Sequence, residues 1–366
     1  MKKIVVFMLV LVTVFSAFAQ GASETSAKKT IYVLGPTPDH GWTAQAGSYA
    51  QAKCEEITAK GDIKAVYMAA SSGEEQVDQC NTIVANGDAS GVVMMALDDS
   101  AAAGQEALYA AKIPFISFDR FIESTMDYAI LNYSGNNWQC GAGIAYWLQQ
   151  NGMKPGDTVV TLYGDNGTVC KYREEGFRDF LMGNIDYSDQ ATGKSYHTTE
   201  VWTKEQLDPV FNTYSVVCNW SADGAYDYLE QKLDEIVAKA DTNLYIYSMD
   251  DEMTFGMLNL IEGSSLSAAT KAKLESLNVY ISAIGGMQEL YDVMSGKAEQ
   301  QAKIANQYFD DMMSVYFSPS MMKSVIDKMV NFLNGDWSYK NGDVDTEPVW
   351  IVDRVNVNQY EGFLGH

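Results

Sequence analysis

The chain has 366 residues, with 48 acidic against 25 basic side chains and a formal net charge of -23. That balance opposes a phosphate backbone and excludes nucleic acid as a natural partner. Five cysteines and three histidines, without a CxxC or a Cys/His ligand spacing, argue against a zinc site, and the length points to two domains instead of one.

In chain order, Lys2 and Lys3 precede an apolar run over 4–18 that ends in Ala17-Phe18-Ala19 before Gln20. A basic start, an apolar middle and a small-residue site read as a signal peptide over 1–19, cleaved after Ala19. As a helix the run spans only about 22 Å against a hydrocarbon core of about 30 Å, which is short for an anchor. No cysteine lies near the cleavage site for lipid attachment, so a soluble, exported chain is expected. Export permits disulfides, and Cys54 with Cys80, on expected neighbouring helices, is the first pairing to test. The competing reading is that the cysteines are small buried apolar side chains.

From Thr30 onward, β-branched or aromatic runs at 30–34, 65–69, 91–96, 114–118, 158–163, 243–248, 279–283 and 313–317 predict strands. Between them lie helical stretches at 74–86, 100–111, 171–182, 222–239 and 319–333. In the first, Val77, Cys80 and Val84 share one face; in the last, Ser318 is the expected cap and Pro319 the first helical residue. The texture breaks at 133–137, and the strand–helix rhythm restarts at Thr158. This predicts an α/β protein of two doubly wound, Rossmann-like lobes. In such sheets ligands sit beyond the carboxyl ends of the strands.

Two segments at those ends carry recognition chemistry. After the first strand comes Pro38-Asp39-His40-Gly41-Trp42, and after the fourth comes Phe118-Asp119-Arg120. A flat ring covers the C–H face of a polyol, and carboxylate and guanidinium groups take paired hydrogen bonds from its hydroxyls.

The segment Ile113-Pro114-Phe115-Ile116-Ser117-Phe118-Asp119-Arg120, the helix start Arg173-Glu174-Glu175-Gly176-Phe177, and Asp250-Asp251-Glu252-Met253 followed by Gly256 together resemble the type I periplasmic binding proteins of sugar ABC transporters, the ribose- and galactose-binding group. The resemblance runs from about Thr30 to the C-terminus. It implies a three-strand hinge with crossings near Tyr133, Phe317 and Gly342, giving an N-lobe of 30–133 plus 318–341 and a C-lobe of 134–317 plus 342–366. It implies Trp42 and Trp220 as opposed stacking rings, Asp119 and Arg120 as N-lobe hydroxyl partners, Arg173 as a C-lobe donor and Asp250 as a C-lobe acceptor. His40, Asp39, Asn136 and Asn166 are further ligand candidates. Where the group usually has asparagine this chain has Asp250, and where it usually has aspartate this chain has Gly285, so a hydroxyl pattern unlike that of ribose or galactose is expected.

The implied role is capture of a monosaccharide by hinge closure and delivery to an ABC permease, with a chemoreceptor as a further partner. The protein is expected to be a monomer without cofactor, metal or catalytic residue. Nucleosides, inositols and signalling furanones are alternative ligands. A secreted sugar hydrolase is the rival from another class, but the acid pairs Asp98-Asp99 and Asp250-Asp251 are adjacent in sequence and placed where helix capping explains them. Each candidate also has a structural reading: Trp42 and Trp220 as core rings, Asp119 with Arg120 as a surface pair, Arg173 on a solvated helix face, and Asp250 as a cap.

Overall fold

The computed structural model describes residues 28–37 and 41–365. The expected signal peptide, Asp39 and His40 lie outside the described residues.

The strands and helices alternate from the start: β1 (Lys29–Pro36), α1 (Gly41–Lys60), β2 (Ile63–Ala70), α2 (Gly73–Asn86), β3 (Ala89–Met94), α3 (Ala102–Ala110), β4 (Phe115–Phe118) and β5 (Leu131–Gly135). Then come α4 (Asn137–Gln150), β6 (Thr158–Tyr163), α5 (Thr168–Leu181), the hairpin β7 (Tyr187–Asp189) and β8 (Lys194–Tyr196), α6 (Lys204–Asn212), β9 (Tyr214–Val217) and α7 (Ala222–Lys239). The chain continues through β10 (Asn243–Ser248), α8 (Asp251–Glu262), α9 (Ala268–Glu275), β11 (Asn278–Gly285), α10 (Gln288–Ser295), α11 (Glu299–Tyr308), β12 (Asp311–Tyr316), α12 (Met321–Leu333), β13 (Val344–Glu347) and β14 (Ile351–Asp353).

The strands form two six-stranded sheets, ordered β2-β1-β3-β4-β5-β13 and β9-β6-β10-β11-β12-β14. The first five strands of each follow the same order, with the second strand outermost and the first next to it, so one doubly wound unit occurs twice. All pairings in the first sheet are parallel, and in the second only β14 runs antiparallel. Within β1, Ile31 and Val33 pack with α1 and α12, whereas Tyr32 and Leu34 pack with α2 and α3. Burial on both faces explains why the parallel strands read as near-continuous apolar runs.

That two-faced packing rules out the Cys54–Cys80 disulfide. Cys54 sits on the α1 side of the first sheet and Cys80 on the α2 side. A sheet lies between them, beyond the Cα separation of about 7 Å that a disulfide tolerates. All five cysteines are free and buried, and burial pushes the Cys54 and Cys80 thiols up to about 12.

Several boundaries shift by two or three residues, as at α5, which starts at Thr168 instead of Lys171, and two differences bear on the lobe division and its last helix. The third crossing, expected near Gly342, falls between Glu347 and Ile351, because β13 pairs with β5 in the first sheet and only β14 joins the second. This edge strand is polar, Val-Asp-Thr-Glu, and is held by tertiary contacts such as Lys328 Nζ to Asp345 Oδ2 at 2.8 Å. The last long helix starts at Met321, two residues late, because Ser318 and Pro319 form a tight turn whose carbonyls take the Met321 and Met322 N–H groups.

The helices α4 and α5 approach backbone to backbone. A Cβ on Gly141 of α4 would lie 1.9 Å from the Arg173 carbonyl, and one on Gly176 of α5 would lie 2.0 Å from the Trp138 carbonyl. These reciprocal glycines fix the turn of α5 that carries Arg173.

Candidate functional site

The carboxyl ends of both sheets face one cleft. It is lined by Trp42 and Thr43 after β1, Met95 after β3, Asp119 and Arg120 after β4, Val169 and Arg173 on α5, Asn219 and Trp220 after β9, Asp250 and Glu252 after β10, Ile284 and Gly285 on β11, and Phe317 after β12. It leaves about 120 Å³ in which the centre of a water-sized molecule can move. A single water needs roughly 10–15 Å³ on that measure, so the space suits a molecule of several heavy atoms.

Six of the ten residues expected from sequence meet here: Trp42, Asp119, Arg120, Arg173, Trp220 and Asp250. Two do not. The Asn136 side chain caps α4, its Oδ1 accepting from Gln139 N at 3.1 Å, and Asn166 is exposed on neighbouring grooves outside this cavity. Sequence reasoning missed Thr43, Met95, Val169, Asn219, Glu252 and Ile284 as lining residues, and named Phe317 as a hinge crossing without assigning it a ligand contact. Inspection of residues just past a predicted strand found Trp42, Asp119 and Arg120, and the resemblance supplied Arg173, Trp220 and Asp250; Met95 escaped because the predicted strand over 91–96 contained it, whereas β3 ends at Met94.

Trp42 opens α1 and donates from Nε1 to the Phe317 carbonyl at 2.8 Å, with its ring 6.3 Å from Phe118 and 5.9 Å from Phe317. It is half-buried, so it serves both packing and the cleft wall. Trp220 lines the cleft from the second lobe, donating from Nε1 to Asp165 Oδ2 at 2.9 Å. Its ring lies on the backbone at Gly164, where a Cβ would come within 2.1 Å of the indole. Gly164→Ala is therefore expected to cost about 1–3 kcal/mol in urea unfolding, as overpacking does. The cost should vanish in a Trp220→Ala background, and an equal cost in both backgrounds would refute this account of the glycine.

Among the described residues, four non-glycine residues adopt left-handed backbone conformations: Lys112, Asp119, Asn219 and Trp220. The last three line the cleft. Such conformations cost on the order of 1–3 kcal/mol each and gather where a side chain must be aimed.

The charged groups are buried to different degrees. Asp119 is only 7% exposed, and its Oδ1 has no hydrogen-bond partner. Burial pushes its carboxyl above the usual range, with the Arg120 and Arg173 charges pulling it back. Arg173 is 3% exposed. Its Nε donates to Asn137 Oδ1 at 2.9 Å and its Nη1 donates to the Met249 carbonyl. Its guanidinium sits 4.9 Å from the Phe317 ring centre and 5.6 Å from that of Trp220. A solvated helix face is thereby ruled out for Arg173.

Arg120 does not pair with Asp119. Its Nη1 donates to the Leu97 carbonyl and forms an ion pair with Asp165 Oδ2 at 3.1 Å, from the opposite lobe. Asp250 caps α8, its Oδ1 accepting from Glu252 N at 2.8 Å, and it also lines the cleft, so both readings of this residue hold. Burial, with Asp251 beside it, pushes the Asp250 carboxyl well above the usual range.

Gly285, where the resemblance implied an aspartate in other chains, has a local cause. Asp251 fills the adjacent space, its Oδ2 accepting from the Gly286 and Met287 N–H groups at 2.7 Å each and its Oδ1 from Ser314 Oγ at 2.6 Å. A Cβ at 285 would lie 2.9 Å from that Oδ2. Burial still pushes the Asp251 carboxyl up to about 6. Its oxygens are committed to the backbone and to Ser314.

The two lobes touch across the mouth. Thr168 Oγ1 donates to the Phe121 carbonyl at 2.8 Å, Lys171 pairs with Glu123, and Gly41 N donates to the Gly365 carbonyl at 3.0 Å. Among the described residues no cluster of His, Cys, Asp or Glu could hold a metal ion, and no helix is long and apolar enough to cross a membrane.

No curated protein matches the chain. Solved structures do. The periplasmic binding protein component of the arabinose ABC transporter from Shewanella sp. ANA-3, bound to α- and β-L-arabinofuranose, is 14% identical, with a TM-score of 0.64 and coverage of 90% of this chain and 94% of that one. An ABC transporter solute binding protein from Bacillus halodurans C-125 with bound myo-inositol is 15% identical, with a TM-score of 0.64 and coverage of 93% and 99%. An ABC transporter periplasmic solute binding protein from Actinobacillus succinogenes 130z with bound D-allose is 16% identical, with a TM-score of 0.61 and coverage of 91% and 100%. At these identities the likeness is one of fold. The periplasmic binding protein domain model matches residues 31–335, most of the sequence, and the chain belongs to that family.

Proposed function

We propose that this chain is the solute-binding component of an ABC importer and captures a monosaccharide or similar polyol between its lobes. The observation that carries the reading is the Asp119 carboxylate: a buried acceptor with an unpartnered oxygen, in a cleft that also holds Trp42, Trp220, Arg120, Arg173 and Asp250. A buried carboxylate oxygen left without a donor costs on the order of 1–3 kcal/mol, and a ligand hydroxyl removes that cost. The two rings supply flat apolar cover for C–H faces. The wall mixes cations with carboxyl groups, which suits hydroxyls that both donate and accept. A ligand carboxylate would meet Asp119 and Asp250.

Closure follows from the division of the site between lobes. Trp42, Asp119 and Arg120 come from the first, and Arg173, Trp220 and Asp250 from the second, so a ligand held by one lobe gains its remaining contacts only when the other swings over it. The segments between Gly135 and Asn137, around Phe317, and between Glu347 and Ile351 act as the hinge. The function places the chain outside the cytoplasm as a monomer, exported by the signal peptide over 1–19 and docking in its closed form on a permease. A chemoreceptor is a second reader of the same closed form.

A thermal-shift screen of the chain from residue 20 onward against pentoses, hexoses, inositols and nucleosides tests the reading. One polyol is expected to raise the midpoint by several degrees at about a hundredfold excess over its Kd, with its epimers shifting it far less. No shift with any polyol, or turnover of a glycoside, would remove the proposal.

A further inference from the structure

Asp165 lies just beyond β6, outside the ligand cavity, yet three parts of the site converge on it. Its Oδ1 accepts from Gly167 N at 2.8 Å, which shapes the turn into α5. Its Oδ2 accepts from Trp220 Nε1 at 2.9 Å and also forms the ion pair with Arg120 Nη1 at 3.1 Å. Arg120 Cζ is in turn 5.6 Å from the Trp220 ring centre. The first two partners belong to the lobe of Asp165, and Arg120 belongs to the other.

From this geometry we infer that Asp165 is a cross-cleft positioning residue: it locks the Trp220 ring in its stacking pose and holds Arg120 of the opposite lobe, so that ring placement and lobe closure are coupled through one carboxylate. The inference rests on the proposed polyol site. Its physical basis is selective stabilisation. The bonds to Gly167 and Trp220 lie within one lobe and survive opening, whereas the Arg120 pair and the Arg120–Trp220 stacking exist only when the lobes are together. A contact present only in the closed state slows escape of a trapped ligand without slowing its entry into the open cleft.

The pair is stronger than an ordinary surface ion pair. Its side chains are 23% and 27% exposed, and the guanidinium has an aromatic face beside it. A second cross-cleft ion pair, Lys171 with Glu123, has side chains 47% and 54% exposed and serves as an internal comparison. Pairs that open to water are expected to contribute little.

The test uses stopped-flow tryptophan fluorescence on the whole chain with the polyol that shifts the wild type most. Asp165→Asn keeps an acceptor for Gly167, removes the charge, and puts an NH2 donor where Oδ2 accepts from Trp220 and Arg120. It is expected to raise koff about tenfold and leave kon within about threefold, while Lys171→Met changes koff less than about twofold. Raising the salt from about 50 mM to about 1 M should speed dissociation from the wild type and have little effect on Asp165→Asn, because the ligand is neutral and the screened charges are those of the protein. In a double-mutant cycle, Asp165→Asn in an Arg120→Gln background should add much less than it does alone. If Asp165→Asn unfolds, Asp165→Ser keeps the acceptor near Gly167 and is too short to reach the other two partners. An unchanged koff, or effects of the two substitutions that add in full, overturns the inference while leaving the polyol site intact. If the wild type binds no polyol, the proposed function and the inference fall together.

Discussion

Arg173→Met is expected to abolish polyol binding, with an affinity loss of about a hundredfold or more, and to lower the unfolding free energy by about 3 kcal/mol. The two effects have separate causes. Arg173 is almost wholly buried, and its Nε and Nη1 satisfy Asn137 Oδ1 and the Met249 carbonyl. Methionine matches the stem but leaves both acceptors without donors, at on the order of 1–3 kcal/mol each. The guanidinium also restrains the rise of the Asp119, Asp250 and Asp251 carboxyls, and without it those groups shift further toward the protonated form, which donates from one oxygen and accepts less strongly. Calorimetric titration and urea unfolding check the two parts. Arg173→Lys separates them, since an ammonium keeps the charge but cannot hold Asn137 and Met249 in a fixed fork. It should recover part of the stability and little of the affinity. Binding by Arg173→Met within about threefold of the parent would show that the residue only holds α5 against β10.

The sequence made the sheet architecture legible because parallel strands buried on both faces must be largely apolar, and β1, β3, β6, β10 and β11 meet that demand, with Thr161 and Ser282 among the buried polar exceptions. Edge strands escape it. Tyr214–Val217 and Val344–Glu347 need cover on one face at most, and the polar Asp345, Thr346 and Glu347 give no strand signal until β5 is beside them. The third crossing, which the resemblance put near Gly342, came too early because nothing in Val344–Glu347 marks a further strand of the first sheet.

The site was legible from two sources. Trp42, Asp119 and Arg120 follow predicted strands, at whose ends a doubly wound sheet presents its ligand face, whereas Arg173, Trp220 and Asp250 were carried by the resemblance, and Trp220 follows β9, which was not predicted. Asn136 and Asn166 also stand near such ends, but a short polar side chain there has a second use in caps and turns, and only coordinates separate the two. The partner of Arg120 was not legible at all. Asp119 is its neighbour in sequence, but the left-handed backbone at Asp119, φ 62°, turns consecutive side chains apart, and Asp165 of the other lobe takes the guanidinium.

Asp119→Asn is expected to weaken binding by roughly 30- to 100-fold, the worth of about 2–3 kcal/mol for a hydrogen bond to a charged acceptor. It should also leave the ligand-free protein as stable as the parent or slightly more so. Asparagine accepts the left-handed backbone that residue 119 adopts, where alanine would be strained, so the substitution isolates the charge. The stability half follows from linkage. A carboxyl whose folded pKa is raised by burial contributes stability that is full below its unfolded pKa and is lost as pH rises through the folded value. Where the group is ionised it is under-solvated, and asparagine removes that cost. Binding runs with the opposite sign, because a ligand hydroxyl donates to the ionised form and protons compete with it. Wild-type affinity should fall as pH is lowered from neutral, beginning above the range of an ordinary aspartate, and the part of the pH profile due to this group should be missing in Asp119→Asn. Titration calorimetry across pH, with thermal unfolding of the ligand-free proteins alongside, reads both. Retained affinity with an unchanged pH profile would mean that the ligand does not use this carboxylate, and the observation on which the binding role rests would have another cause.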